Sequence, residues 1–126
     1  MTAPRFRAGA RLLAALQGAY FLATGVWPLV HMESFLAVTG DKTDLWLVQT
    51  VGVLVAVVGG VLVLAAASGR VTWEILLLAV GSALGLAAID VTFVTADVIP
   101  RVYLADAAAE GVFVVWWLTV AVRGRD

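Results

Sequence analysis

Four long apolar runs, separated by short polar breaks, dominate the chain. They span Leu12–Val30, Leu45–Ala67, Trp73–Thr95 and Pro100–Val122. Each is roughly twenty residues long, enough to cross a hydrocarbon core of about 30 Å as a helix. No strand-like alternation of apolar and polar positions runs through them, which argues against a barrel. The breaks carry helix signals. Pro28 ends or kinks the first helix. Thr43 is positioned to cap the second, and Ser68-Gly69 to end it. Thr72 is positioned to cap the third, with Glu74 in its first turn. Asp97 is positioned to cap the fourth, with Pro100 in its first turn, where a missing N–H costs nothing.

The connections differ in length. Ser68–Thr72 and Ala96–Ile99 are tight hairpins, so the second, third and fourth helices should be antiparallel neighbours. The first break, His31–Asp44, is longer. Met32, Phe35, Leu36 and Thr39 fall on one helical face, and Gly40 follows. This predicts a short interfacial helix. The predicted fold class is therefore all-α: one domain, an integral membrane four-helix antiparallel bundle with a short helix in its first loop.

Composition sharpens this reading. The chain has 126 residues, of which 63 % are hydrophobic and 13 % charged. A soluble domain carries roughly a quarter charged residues. A net charge of −1 gives no electrostatic basis for nucleic-acid binding. Cysteine is absent, which excludes thiol chemistry and cysteine-ligated metals. Arg5, Arg7 and Arg11 resemble the basic region of a signal peptide. The apolar run after them is too long for one and lacks a small-x-small cleavage site, so a retained helix is expected. Arg5, Arg7, Arg11, Arg70, Arg123 and Arg125 fall on one side of the bundle, Lys42 and Arg101 on the other. That asymmetry places both termini in the cytoplasm and the first loop outside. Abundant Ala, Val, Leu and Arg with a single lysine suggest a GC-rich bacterial genome, hence a bacterial inner membrane. The tryptophans are expected to anchor helix ends at the interfaces.

Small residues fix where helices approach. Gly18 and Gly25 are seven apart on the first helix, as are Gly52 and Gly59 on the second. Gly81 and Gly85 form a Gly-xxx-Gly on the third. Membrane helices pack through such positions. The Gly81–Gly85 pair would also suit a homo-oligomer seam.

The most informative residues are the acids inside the apolar runs. A charge at mid-membrane costs at least about 2.5–3.5 kcal/mol. Asp90 precedes the outer end of the third helix, and Asp106 follows the outer start of the fourth. At about 1.5 Å per residue, both lie about 7–9 Å deep, on neighbouring helices. Glu110 is one turn deeper than Asp106 on the same face, and Tyr103 one turn above it. Gln49 belongs to the same layer, and His31 and Glu33 follow the first helix at its outer end. Such groups must face a wet cavity or the bundle interior, with a cation such as Lys42 or Arg101, or a proton, to offset their charge. Two structural readings stand beside the functional one: interhelical hydrogen bonding among Asp90, Asp106, Tyr103 and Gln49, and a surface role for His31. No metal-ligand spacing, phosphate-binding glycine loop or cofactor motif occurs.

The stretches Trp27-Pro-Leu-Val-His-Met-Glu-Ser-Phe35, Val38-Thr-Gly-Asp-Lys42 and Asp44-Leu-Trp-Leu-Val48 resemble small four-helix bacterial membrane proteins. In size and topology the chain is similar to the DoxX-like group. Asp90, Asp106, Glu110 and His31 are also similar in kind to the intramembrane acids and histidine of the sterol-isomerase-like EXPERA group. No spacing matches, so no catalytic role follows.

The expectation is a membrane protein with an outward-facing polar pocket. The pocket would bind or help move a small amphipathic or cationic ligand through Asp90, Asp106, Glu110, Tyr103, Gln49, His31 and Glu33. The alternatives are an enzyme with acid/base chemistry on a lipid-soluble substrate and a structural membrane subunit.

Overall fold

The computed structural model describes residues 8–123; Arg5, Arg7 and Arg125 lie outside them. It contains five helices: α1 (Ala8–Val30), α2 (Met32–Thr39), α3 (Leu45–Ser68), α4 (Trp73–Thr95) and α5 (Tyr103–Arg123). All but α2 are long and apolar enough to cross a membrane. Leu54, Leu64, Leu77, Val112, Val115 and Val122 are mostly exposed. They form the outward apolar belt that a bilayer covers and water would not tolerate.

The long helices associate as two tight pairs. In the first, α1 packs along α3. The seven-residue glycine spacing sets this contact. A Cβ on Gly18 would come within 2.8 Å of the Gly59 carbonyl oxygen, and one on Gly25 within 2.7 Å of that of Gly52. The two backbones therefore touch at two levels, antiparallel, one heptad apart. In the second pair, α4 packs along α5. By contrast, α3 and α4 scarcely meet, although a turn of only four residues joins them. The hairpin predicts neighbours in sequence, but close packing also needs facing small residues. Gly81 and Gly85 are exposed, with open space where a Cβ would stand.

The compact core lies at one end of the bundle. Ala10, Leu13, Ala14, Leu62, Ala66, Val71, Ala79 and Trp117 are buried together there. Gln17 bridges the two pairs. Its Nε2 donates to the Ala79 carbonyl at 3.0 Å, and Trp117 Nε1 donates to its Oε1 at 2.6 Å. Trp117 is thus fully buried and not an interfacial anchor. Its position near a helix end indicates depth, whereas its burial depends on the helix's rotation. Arg11 Nε donates to the Ala66 carbonyl at 2.9 Å, placing a cation at the C-terminal end of α3. Gly69 closes that helix in the left-handed conformation, φ 69°.

Two helix starts differ from expectation. Asp44, not Thr43, occupies the cap position of α3, without a side-chain cap bond. Pro100 precedes α5 and does not lie within it. The Tyr103, Leu104 and Ala105 amides bond to the carbonyls of Pro100, Arg101 and Val102. This tight i→i−3 winding delays the regular helix to Tyr103. Asp97 does not cap it, but turns the hairpin at φ 60°, a conformation Asp tolerates better than most residues.

The loop helix α2 folds back onto the end of α1. Trp27 Nε1 donates to Ser34 Oγ at 2.8 Å, and the Trp27 and Phe35 rings meet edge to face. His31 Nδ1 accepts from the Ser34 amide, which caps α2.

Candidate functional site

At the end opposite the compact core, the two helix pairs diverge around a cavity of about 650 Å³. Its walls come from α1, α3, α4 and α5, with α2 and Lys42 over its mouth. The α3 wall is aliphatic: Leu47, Val48, Val51, Gly52 and Val55. Asp90, Asp106 and Glu110 face it from the α4–α5 pair.

The polar wall follows from helix geometry. Asp106 and Glu110 are four apart on α5, so they stack on one face. Asp106 lies in the first turn of α5, where unpaired amides favour a negative group. Tyr20 of α1 reaches across and donates its hydroxyl to Asp106 Oδ1 at 2.5 Å. The Asp90 carboxyl of α4 lines the same cavity beside Asp106.

Partners then run out. Asp90 is 5 % exposed and its Oδ2 has no hydrogen-bond partner among the described residues. Glu110 is 0 % exposed, and neither of its carboxyl oxygens has one. Buried polar groups are nearly always paired, and an unpaired one costs about 1–3 kcal/mol, more if charged. Lys42 does not serve them. Its Nζ donates to the Thr39 and Gly40 carbonyls and to Thr39 Oγ1, and stands over the Phe35 and Tyr103 rings. Among the described residues, no three His, Asp or Glu side chains converge on a metal-sized point.

Of the residues singled out by sequence, Asp90, Asp106, Glu110 and Tyr103 line the cavity. Gln49, His31 and Glu33 do not. Gln49 projects from an exposed face of α3, because Val48, Val51, Gly52 and Val55 present the opposite stripe to the cavity. His31 and Glu33 are exposed at the start of α2, where His31 is engaged in capping. Tyr20 is the contributor that sequence reading misses. Its signal is a phenol ten residues inside an apolar run, away from the interfacial belt where tyrosine usually sits.

The cavity also opens sideways. Val51 of α3 and Ile89 of α4 both line it, yet remain 51 % and 54 % exposed. They border the gap where α3 and α4 fail to meet.

No known protein family, curated protein or solved structure matches this chain in comparison.

Proposed function

We propose that this membrane protein binds a small amphipathic cation in the cavity between its helix pairs. One observation carries the reading: three carboxyl groups, with three of their oxygens buried and unpartnered, face an apolar cavity where the one lining cation among the described residues, Lys42, is already engaged. A positive headgroup among Asp90, Asp106 and Glu110 supplies the missing partner. The aliphatic α3 wall accommodates an apolar body, and the aromatic rings of Tyr20 and Tyr103 add cation–π surface. The volume lies within the usual range for ligand pockets, about 300–1,000 Å³. The lateral gap between α3 and α4 offers a route from the acyl-chain region. We place the protein in a bacterial cytoplasmic membrane with both termini inside. Arg11, Arg70 and Arg123 at the compact end, against Lys42 and Arg101 at the cavity end, support that orientation.

The test is calorimetric titration of the purified protein in detergent with tetraphenylphosphonium. Binding should occur, and Asp90→Asn and Asp106→Asn should abolish it, with thermal unfolding nearly unchanged in Asp90→Asn and lowered in Asp106→Asn only by the weakened Tyr20 hydrogen bond. Absence of binding, with both variants strongly destabilised, would show that the acids are interhelical glue. The Asp106–Tyr20 hydrogen bond beside Asp90 favours a second reading, acid/base catalysis on a lipid-soluble substrate; turnover of a supplied lipid would establish it.

A further inference from the structure

The cavity poses a problem of charge that its occupant must solve. Every titratable or charged group facing it can be named: Tyr20 from α1, Lys42 from the loop after α2, Asp90 from α4, and Tyr103, Asp106 and Glu110 from α5. The α3 wall contributes none. Lys42 is occupied at the mouth by two carbonyls and the Thr39 hydroxyl. No cation therefore offsets the three acids from within the described protein.

An ionised carboxylate sealed from water, with no donor to either oxygen, is an uncompensated buried charge. Glu110 sits in that position: fully buried, both oxygens unpartnered. Only two things can remove the charge, a proton on the carboxyl or a cation beside it. Asp90 presents the same choice at its buried, unpartnered Oδ2. Both solutions use the same oxygens, so they exclude one another.

Building on the reading of the cavity as an organic-cation site, we propose that cation and proton compete for it: each monovalent cation that enters expels about one proton from the Asp90–Asp106–Glu110 cluster. The carboxyl O–H bond breaks, its electron pair stays on the oxygen, and the proton passes to bulk buffer. No oxidant or reductant takes part. Glu110, one turn below Asp106, is the deep member of the exchange. Its carboxyl has no bond to lose when it gives up its proton, whereas Asp106 is held by Tyr20. Binding on one side of a membrane and release on the other would make such a site an exchanger of cations for protons.

Tetraphenylphosphonium is the probe, because it has a permanent charge and no proton of its own. Titrations of the detergent-purified protein are run in two buffers with different ionisation enthalpies, across a range of pH. The expected result is about one proton released per cation bound, with affinity weakening about tenfold for each unit the pH is lowered. In Glu110→Gln, binding through Asp90 and Asp106 should persist, but with fewer protons released and a flatter pH profile. A merely structural Glu110 would leave both readouts unchanged in that variant. Binding with no proton release and no pH dependence overturns the exchange but leaves the cation site standing. No binding of the probe at any pH overturns the cation site and the exchange with it. Should Glu110→Gln not fold, the proton count and pH profile of the unsubstituted protein in the two buffers decide the exchange by themselves.

Discussion

The Tyr20 hydroxyl donates to the Asp106 carboxyl across 86 residues of chain, tying α1 to α5 at the level of the acidic cluster. Tyr20→Phe removes the donor but keeps the ring, which packs against Phe113. A hydrogen bond to a charged group contributes about 1.5–3 kcal/mol. Tyr20→Phe should therefore lower stability by about that amount and alter cation affinity. Asp106→Asn should show coupling with it in a double-mutant cycle of unfolding free energies. Strict additivity would mean that the bond contributes nothing.

Gln17 is the corresponding link at the compact end, holding α4 through Ala79 and α5 through Trp117. Gln17→Leu leaves the buried Trp117 N–H without a partner. Unfolding in detergent should show a loss of about 1–3 kcal/mol. Trp117→Phe in the same background should recover part of it in a cycle, although the smaller ring leaves a void of its own.

The glycines should divide into two classes. A Cβ on Gly25 would lie 2.6 Å from the Ala56 amide nitrogen, a backbone atom that cannot swing away. Gly25→Ala should cost about 1–3 kcal/mol as the α1–α3 pair is forced apart. Gly81→Ala and Gly85→Ala meet open space and should be neutral or slightly stabilising. Thermal unfolding of the three variants checks the contrast. A shift of oligomeric state in the Gly81 and Gly85 variants would instead reveal a seam between copies of the chain.

Lys42 places a positive charge at the mouth of a cavity proposed to receive cations. Lys42→Gln removes that like charge. Rapid-mixing measurements with tetraphenylphosphonium should show faster association. Unchanged or slower association would show that Lys42 does not guard the mouth.

Orientation can be tested directly, since the chain has no cysteine to remove. Asp41→Cys, at the cavity end, should react with an impermeant maleimide added to intact cells. Arg70→Cys, at the compact end, should react only after the membrane is opened. The reverse pattern would invert the topology.

The four spanning helices and α2 were legible in the chain because run length, glycine and proline positions and the face of Met32–Thr39 are local properties. The seven-residue spacing of Gly18 and Gly25, and of Gly52 and Gly59, was legible too, whereas their pairing with each other came from the structure. Depth was readable in the same way, at about 1.5 Å per residue, which put Asp90, Asp106 and Glu110 in one layer. What a sequence leaves open is the rotation of each helix about its axis and the partner it meets there. That rotation turned Gln49 outward, buried Trp117 against Gln17 and brought Tyr20 to Asp106. Partner choice did the rest. Because α3 closes on α1 and α4 on α5, with Gly60, Gly81 and Gly85 facing open space and not each other, only the tertiary structure could leave a cavity beside the acids.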